Sequence, residues 1–162
     1  MEQQALRTDD CIEKVIRYYS DMVYRLAFAH TGTKHDADDV FQEVFLRYVK
    51  KKPVFEDEEH RKAWLIRVTI NCSNNFWSSL WKKKRQELTD ELLFETEETK
   101  NLYVELQELP SKYREVIHLF YYENMSLEEI SLTLNRKNST VRTQLTRARA
   151  MLKKFMKEED YV

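Results

Sequence analysis

The side chains best suited to chemistry in this sequence are hydrogen-bonding groups at helical spacing. Thr140, Arg142, Thr143, Gln144, Thr146 and Arg147 fall in one short run. Arg offers paired donors to guanine O6 and N7, Gln offers a donor and an acceptor to adenine, and hydroxyls serve bases or phosphates. Asn71, Asn74 and Asn75 form a second group. Amides are poor helix formers in mid-helix, so their concentration there is informative, and an amide reads a Watson–Crick edge through donor and acceptor together. Asp39, Gln42 and Glu43 form a third group on the polar side of a helical pattern, with Arg47 four residues beyond Glu43 as an ordinary i,i+4 partner. An enzyme needs a nucleophile with a base, a metal cluster or a glycine-rich phosphate loop, and the sequence offers none of these. Cys11 and Cys72 lack a CxxC partner and His30, His35, His60 and His118 are scattered, so no metal, disulfide or cofactor is expected.

These groups need helices to hold them. Glycine occurs once, at Gly32, and proline twice, at Pro53 and Pro110, too little punctuation for many short strands. The expected fold class is all-α, with two small domains in 162 residues. Apolar residues from Ile12 through Val15, Tyr19, Val23 and Leu26 to Ala29 predict a helix from Thr8 to His30, capped by Thr8 or Asp9 and ended by Gly32. Ala37, Val40, Phe41, Val44, Phe45 and Tyr48 predict a second from about Asp36 to Lys51, closed by Pro53. A third starts at Glu58 or Glu59 and runs through Trp64, Leu65, Val68, Cys72 and Phe76 toward Trp81. Trp64 lies on that apolar stripe and reads as core. Pro110 divides a short helix (Leu102, Leu106, Leu109) from another over Ser111 to Glu123. Ser126 and Glu129 then form a capping box, and a last helix spans Asn138 to Lys157. The second half is thus a four-helix unit ending in helix, turn, helix.

Lys+Arg is 27 against Asp+Glu 28, a net charge of -1 that hides strong local segregation. No acid lies between Glu59 and Glu87, nor between Glu129 and Glu158, while Glu87, Asp90, Glu91, Glu95, Glu97 and Glu98 crowd residues 86–100. A phosphate-binding surface needs local positive potential rather than a basic whole, and the acidic stretch reads as a solvated linker. Domains are therefore placed at 1–85 and 101–162 around a linker at 86–100. The apolar runs are broken by charge before they reach bilayer length and no secretory signal is visible, so a cytoplasmic protein without membrane insertion is expected.

In Met125 to Arg149, Ile130 and Leu134 can pack on Val141 and Leu145 and fix the last helix so that its N-terminal side chains reach base edges. An ordinary helical hairpin with a basic outer face fits the periodicity equally. The segment, with Leu109, Pro110 and the Tyr113-Arg114-Glu115-Val116-Ile117 run before it, resembles the C-terminal DNA-binding domain of bacterial sigma factors. It departs from that pattern twice: Asn135 stands where the family usually has the turn glycine, and Arg136 where it usually has an aliphatic residue. Asn tolerates the left-handed turn conformation, whereas Arg136 is expected to leave the turn less well buried. DADDVFQEVFLR (Asp36 to Arg47) and AWLIRVTIN (Ala63 to Asn71) resemble the sigma domain that binds the polymerase clamp and opens the promoter. Both resemblances, in family order with no large domain between them, point to the extracytoplasmic-function group.

The resemblance implies roles. Asp39, Gln42 and Glu43 would contact the β′ clamp helices of core RNA polymerase, whose β flap is a further expected contact of the chain. Thr140, Arg142, Thr143, Gln144, Thr146 and Arg147 would read the minus-35 element of promoter DNA. Phe55, Arg61, Lys62, Arg67, Asn71, Asn74 and Asn75 would contact the minus-10 element, where a loop at Val54 to Glu59 and the helix after it accept an extruded base. Trp77, Trp81 and the Lys82 to Arg85 run are left without an assigned role, and with Ser78 and Ser79 replacing basic residues common in the family, phosphate binding is expected to shift to the later lysines. An anti-sigma protein is an expected partner, and no small-molecule substrate is. Two other readings stay open on residues alone: a stand-alone helix-turn-helix regulator, and a helical adaptor that binds protein only.

Overall fold

The computed structural model describes residues 12–84 and 106–159, with side chains for 12–75 and 106–154. The expected cap at Thr8 or Asp9, Cys11, the acidic linker, Leu102, Phe76, Trp77, Trp81, the Lys82 to Arg85 run and the last residues fall outside that description. All regular structure among the described residues is helical. The chain divides into two compact units, Met1–Arg85 and Gln86–Val162.

In the first unit, α1 (Ile12–Thr31), α2 (Lys34–Lys51) and α3 (Glu58–Lys84) pack pairwise against one another. Val15, Val23, Leu26, Val40, Val44, Tyr48, Leu65 and Ile66 are wholly buried between them. Each aliphatic side chain among these contributes roughly 1.5–3 kcal/mol by leaving water. Tyr24, Phe28, Phe41 and Phe45 add an aromatic seam between α1 and α2, with Phe41 and Phe45 centroids 4.9 Å apart. Gly32 at φ 82 ends α1, a backbone position that a Cβ would penalise. Thr33 immediately starts α2, its hydroxyl accepting the Asp36 N–H at 3.1 Å. Lys52, left-handed at φ 45, closes α2 before Pro53.

In the second unit, helical residues 106–108 lead to α4 (Ser111–Tyr121), α5 (Leu127–Leu134) and α6 (Asn138–Glu159), and α6 packs on both α4 and α5. Leu106, Leu109, Val116, Ile117, Leu119, Ile130, Val141, Leu145 and Ala148 form the core. Ser126 caps α5 by accepting the Glu129 N–H at 3.1 Å. Asn135 ends it in the left-handed conformation, φ 54 and ψ 51, and three residues later α6 begins.

The family-like Tyr113 to Ile117 run has a structural meaning here. Arg114 is 3% exposed and donates to the carbonyls of Leu106, Gln107 and Leu109 at 2.9, 3.3 and 2.9 Å. It thereby ties the carbonyl end of the short helix before Pro110 to α4, beside the Leu109 N–H that also meets the Leu106 carbonyl at 3.2 Å. Burial drops its guanidinium to about 10, well below the ordinary range, with Glu115 acting in the opposite sense.

Candidate polymerase and DNA surfaces

On α2, Gln42 is exposed and Asp39 and Glu43 are partly so, with side chains 43% and 42% exposed. Asp39 lies 3.7 Å from His35, and Glu43 accepts from Arg47 Nε at 2.8 Å. Pairs this exposed contribute about 0–1 kcal/mol, so both carboxylates can be given up to another partner at little cost. The same side of α2 shows Leu46 and Val49, each 48% exposed, which sequence reasoning leaves unassigned. Their spacing, four and seven residues from Gln42, places them on the polar side and is the signal that could have found them. His35, Asp36 and Asp39 bring ligand-type atoms within 4.8 Å of one another. They stand at the positive end of α2, where the helix dipole opposes a cation, and the His35–Asp39 contact is an ordinary i,i+4 pair.

On α3 the residue types expected to meet DNA separate. Each residue advances the helix by about 100°, so Arg67, Asn71 and Asn74 share one face with Asn75 on its flank. All four are exposed. Lys62 falls on the far side of that wheel and is half-buried. Arg61 and Phe55 depart further from expectation. Arg61 is wholly buried and donates to Glu58 Oε1 at 2.9 Å, while Tyr19 donates its hydroxyl to Glu58 Oε2 at 2.6 Å. The Arg61 guanidinium sits 5.3 Å from the centre of the Phe55 ring. Phe55, 8% exposed, also stacks on Tyr48 at 6.2 Å and meets Trp64 edge-on at 6.0 Å. These two residues are therefore core groups that anchor the 52–57 segment and are not placed to touch a nucleic acid. Burial, then the hydrogen bond to Glu58, pushes the Tyr19 phenol far up, so it stays a donor.

Phe55 meets α3 at Trp64, so Trp64 is a packing residue of the loop anchor. Asn71 lies two turns further on, about 10 Å along the axis. The loop and Asn71 thus bound a stretch of α3 without touching. Val54, 89% exposed, stands beside the buried Phe55 at the loop's outer side.

The C-terminal surface follows the sequence expectation more closely. Thr140, Arg142, Thr143, Thr146 and Arg147 are exposed on α6 and Gln144 is half-buried on its flank. Thr143 and Thr146 hydroxyls donate to the carbonyls of Ser139 and Arg142, at 2.9 and 3.0 Å, which leaves their oxygens able to accept. Arg147, beside the Tyr113 hydroxyl, is the main cause of that phenol's lowered value. Arg149 belongs elsewhere, donating to the Tyr121 hydroxyl at 2.6 Å and lying over the Phe120 and Tyr121 rings.

Arg136 does not leave the turn open. Its guanidinium pairs with Glu115, 4% exposed, and donates to Gln144 Oε1 at 3.1 Å. Its backbone is tied twice to Ser131, N–H to carbonyl at 3.0 Å and carbonyl to hydroxyl. A polar link thus replaces the usual apolar plug. An acid amid the apolar Val116 and Ile117 stripe is the sequence signal that a cation has to arrive there.

A family model for sigma-70 region 2 matches residues 15–83, and one for sigma-70 region 4 matches residues 99–152. The chain is 30% identical to the RNA polymerase sigma-E factor of Streptomyces coelicolor, over 91% of this chain and 87% of that one. It is 27% identical to the ECF RNA polymerase sigma factor SigE of Mycolicibacterium smegmatis over 89% of its own length, and spans 61% of that relative. Among solved structures, the sigma factor RpoE from Bartonella quintana, in complex with the anti-sigma factor NepR, is similar with a TM-score of 0.68. The match covers 90% of this chain and 96% of that one at 20% identity, a likeness of fold.

Proposed function

The chain belongs to the sigma-70 family, in its extracytoplasmic-function group, and from that premise we propose which of its surfaces carry out promoter-specific initiation. As a sigma factor it supplies sequence choice and strand opening, and the polymerase supplies the chemistry. The α2 side bearing Asp39, Gln42 and Glu43, with Leu46 and Val49, binds the β′ clamp helices of core polymerase. An apolar side chain within a polar rim is the usual composition of a protein interface.

The α6 side bearing Thr140, Arg142, Thr143, Gln144, Thr146 and Arg147 reads the minus-35 element as duplex in the major groove. The α3 face bearing Arg67, Asn71, Asn74 and Asn75 meets the minus-10 element, with Asn71 hydrogen-bonding an extruded base and Arg67 holding the nearby backbone. Lys62 serves at most a distant phosphate. The single observation that carries this reading is the clustering of the base-reading side chains on exposed helix faces in both family-matched units.

A membrane-associated or soluble anti-sigma protein is the natural second partner, as NepR is for the Bartonella quintana factor. No helix among the described residues is long and apolar enough to cross a membrane. Action beside the polymerase implies the cytoplasm. The reading is tested by co-purification with core polymerase followed by run-off transcription on a genomic promoter library. The expected result is polymerase-dependent, promoter-specific transcripts. A chain that ignores core polymerase yet binds duplex operators alone would instead be a stand-alone regulator.

A further inference from the structure

On the recognition helix the hydrogen-bonding sense of the Gln144 amide is set by a neighbour outside the helix. Arg136 Nη1 donates to Gln144 Oε1 at 3.1 Å, and the same guanidinium is held from behind by the buried Glu115 carboxylate. Glu115 is itself fixed, its other oxygen accepting from the Ser111 hydroxyl at 3.3 Å. The Arg136 Nη1 group also reaches the Lys112 carbonyl at 3.4 Å. A guanidinium has donors and no acceptor, so the amide can meet it only through oxygen, and the orientation is fixed by chemistry.

We propose that Arg136 makes Gln144 a donor-only reader that selects a keto base, guanine or thymine, in the upstream promoter element. This rests on the reading of α6 as the recognition helix. With its oxygen turned inward to Arg136, Gln144 presents its NH2 group outward. In the major groove guanine and thymine display acceptors without a donor, cytosine displays only an amino donor that opposes an NH2 group, and adenine sets an amino donor beside its N7 acceptor, so a donor-only amide loses half of its pairing there. The usual pairing of Gln with adenine requires the amide oxygen to accept from the adenine amino group, and here that oxygen is directed elsewhere. Arg136 is thus a positioning residue. The turn sets base choice through the amide it orients, on a chain that places a cation where the family usually has an aliphatic residue.

The test is a promoter library randomised across the upstream element and transcribed by holoenzyme reconstituted with the full chain. The wild type is compared with Q144A, R136K, R136L and the double variant E115Q/R136L. Wild type should favour keto bases at one position that Q144A makes indifferent. R136K should keep that preference, since an ammonium also offers donors alone. R136L releases the amide and should move the position toward adenine by about 10-fold or more. Because R136L strands the Glu115 carboxylate, E115Q/R136L supplies the same release without a buried unpaired charge, and its thermal melt reports folding. An unchanged preference in folded E115Q/R136L, or an amino-base preference in wild type at the position that Q144A flattens, overturns the proposal. No upstream preference anywhere in wild type overturns the recognition-helix reading itself, and the proposal with it.

Discussion

Arg61 and Arg142 are the same residue type in two stretches free of acid, yet Arg61 is wholly buried and Arg142 exposed. In the first unit the cation lies at a loop–helix junction, where Glu58 pairs with it, Phe55 lies against its guanidinium and Tyr19 holds the other Glu58 oxygen. In the second it lies in the second turn of α6, where the apolar stripe of Val141, Leu145 and Ala148 fixes the side it occupies. Helical periodicity assigns a side to a residue beyond the first turn, but a residue within the first turn of a helix answers to whatever the preceding loop brings. Arg114 follows the same rule in the second unit, buried near the start of α4 and tied to the chain before it.

The contrast is broken most directly by Arg61→Ala. Loss of a buried partner beside Glu58 should cost about 2–4 kcal/mol, discounted for the partial exposure of that carboxylate. Arg67→Ala should stay within about 0.5 kcal/mol of wild type. Urea melts of the two variants decide it, and equal stability would return Arg61 to the surface.

Next in size, Arg142→Ala or Arg147→Ala should weaken promoter use by about 1–3 kcal/mol if the lost contact is bidentate to guanine, without lowering the melting temperature. Wild-type affinity and sequence preference in both variants would refute α6 as the recognition helix.

Asn71→Ala sharpens the N-terminal side of the comparison. It removes a hydrogen bond worth about 1–2 kcal/mol to an extruded base, leaves core binding intact and impairs open-complex formation. A pre-opened bubble should rescue opening but not base preference. Permanganate footprinting reads the unpaired thymines, and normal reactivity with unchanged preference would make Asn71 a helix surface residue and nothing more.

The smallest effect is expected on α2. Gln42→Ala with Glu43→Ala should reduce core polymerase affinity by about 1 kcal/mol, because the Arg47 pair it breaks is exposed and interfacial polar contacts at a rim are weak. Leu46→Ala in the same assay asks whether the apolar neighbour contributes more. Undiminished binding in both variants would move the polymerase surface off this side of α2.

Much of the fold and of the C-terminal site is legible in the order of residues alone. Gly32, Pro53, Pro110, the Ser126 cap and the tolerance of Asn135 for a left-handed turn each act through the local backbone, so neighbours in sequence suffice to place them. The apolar stripes determine the helices and the exposed face of α6, because the 3.6-residue repeat binds side to position. What tertiary structure alone decided is which polar groups answer to one another across elements: Tyr19 with Glu58, Arg136 with Glu115 and Gln144, Arg147 with Tyr113. Those partners are separated by many residues, and sequence spacing carries no record of their distance. The cost of an unpaired buried charge requires that a partner exist, and only the packing of the helices determines which one it is.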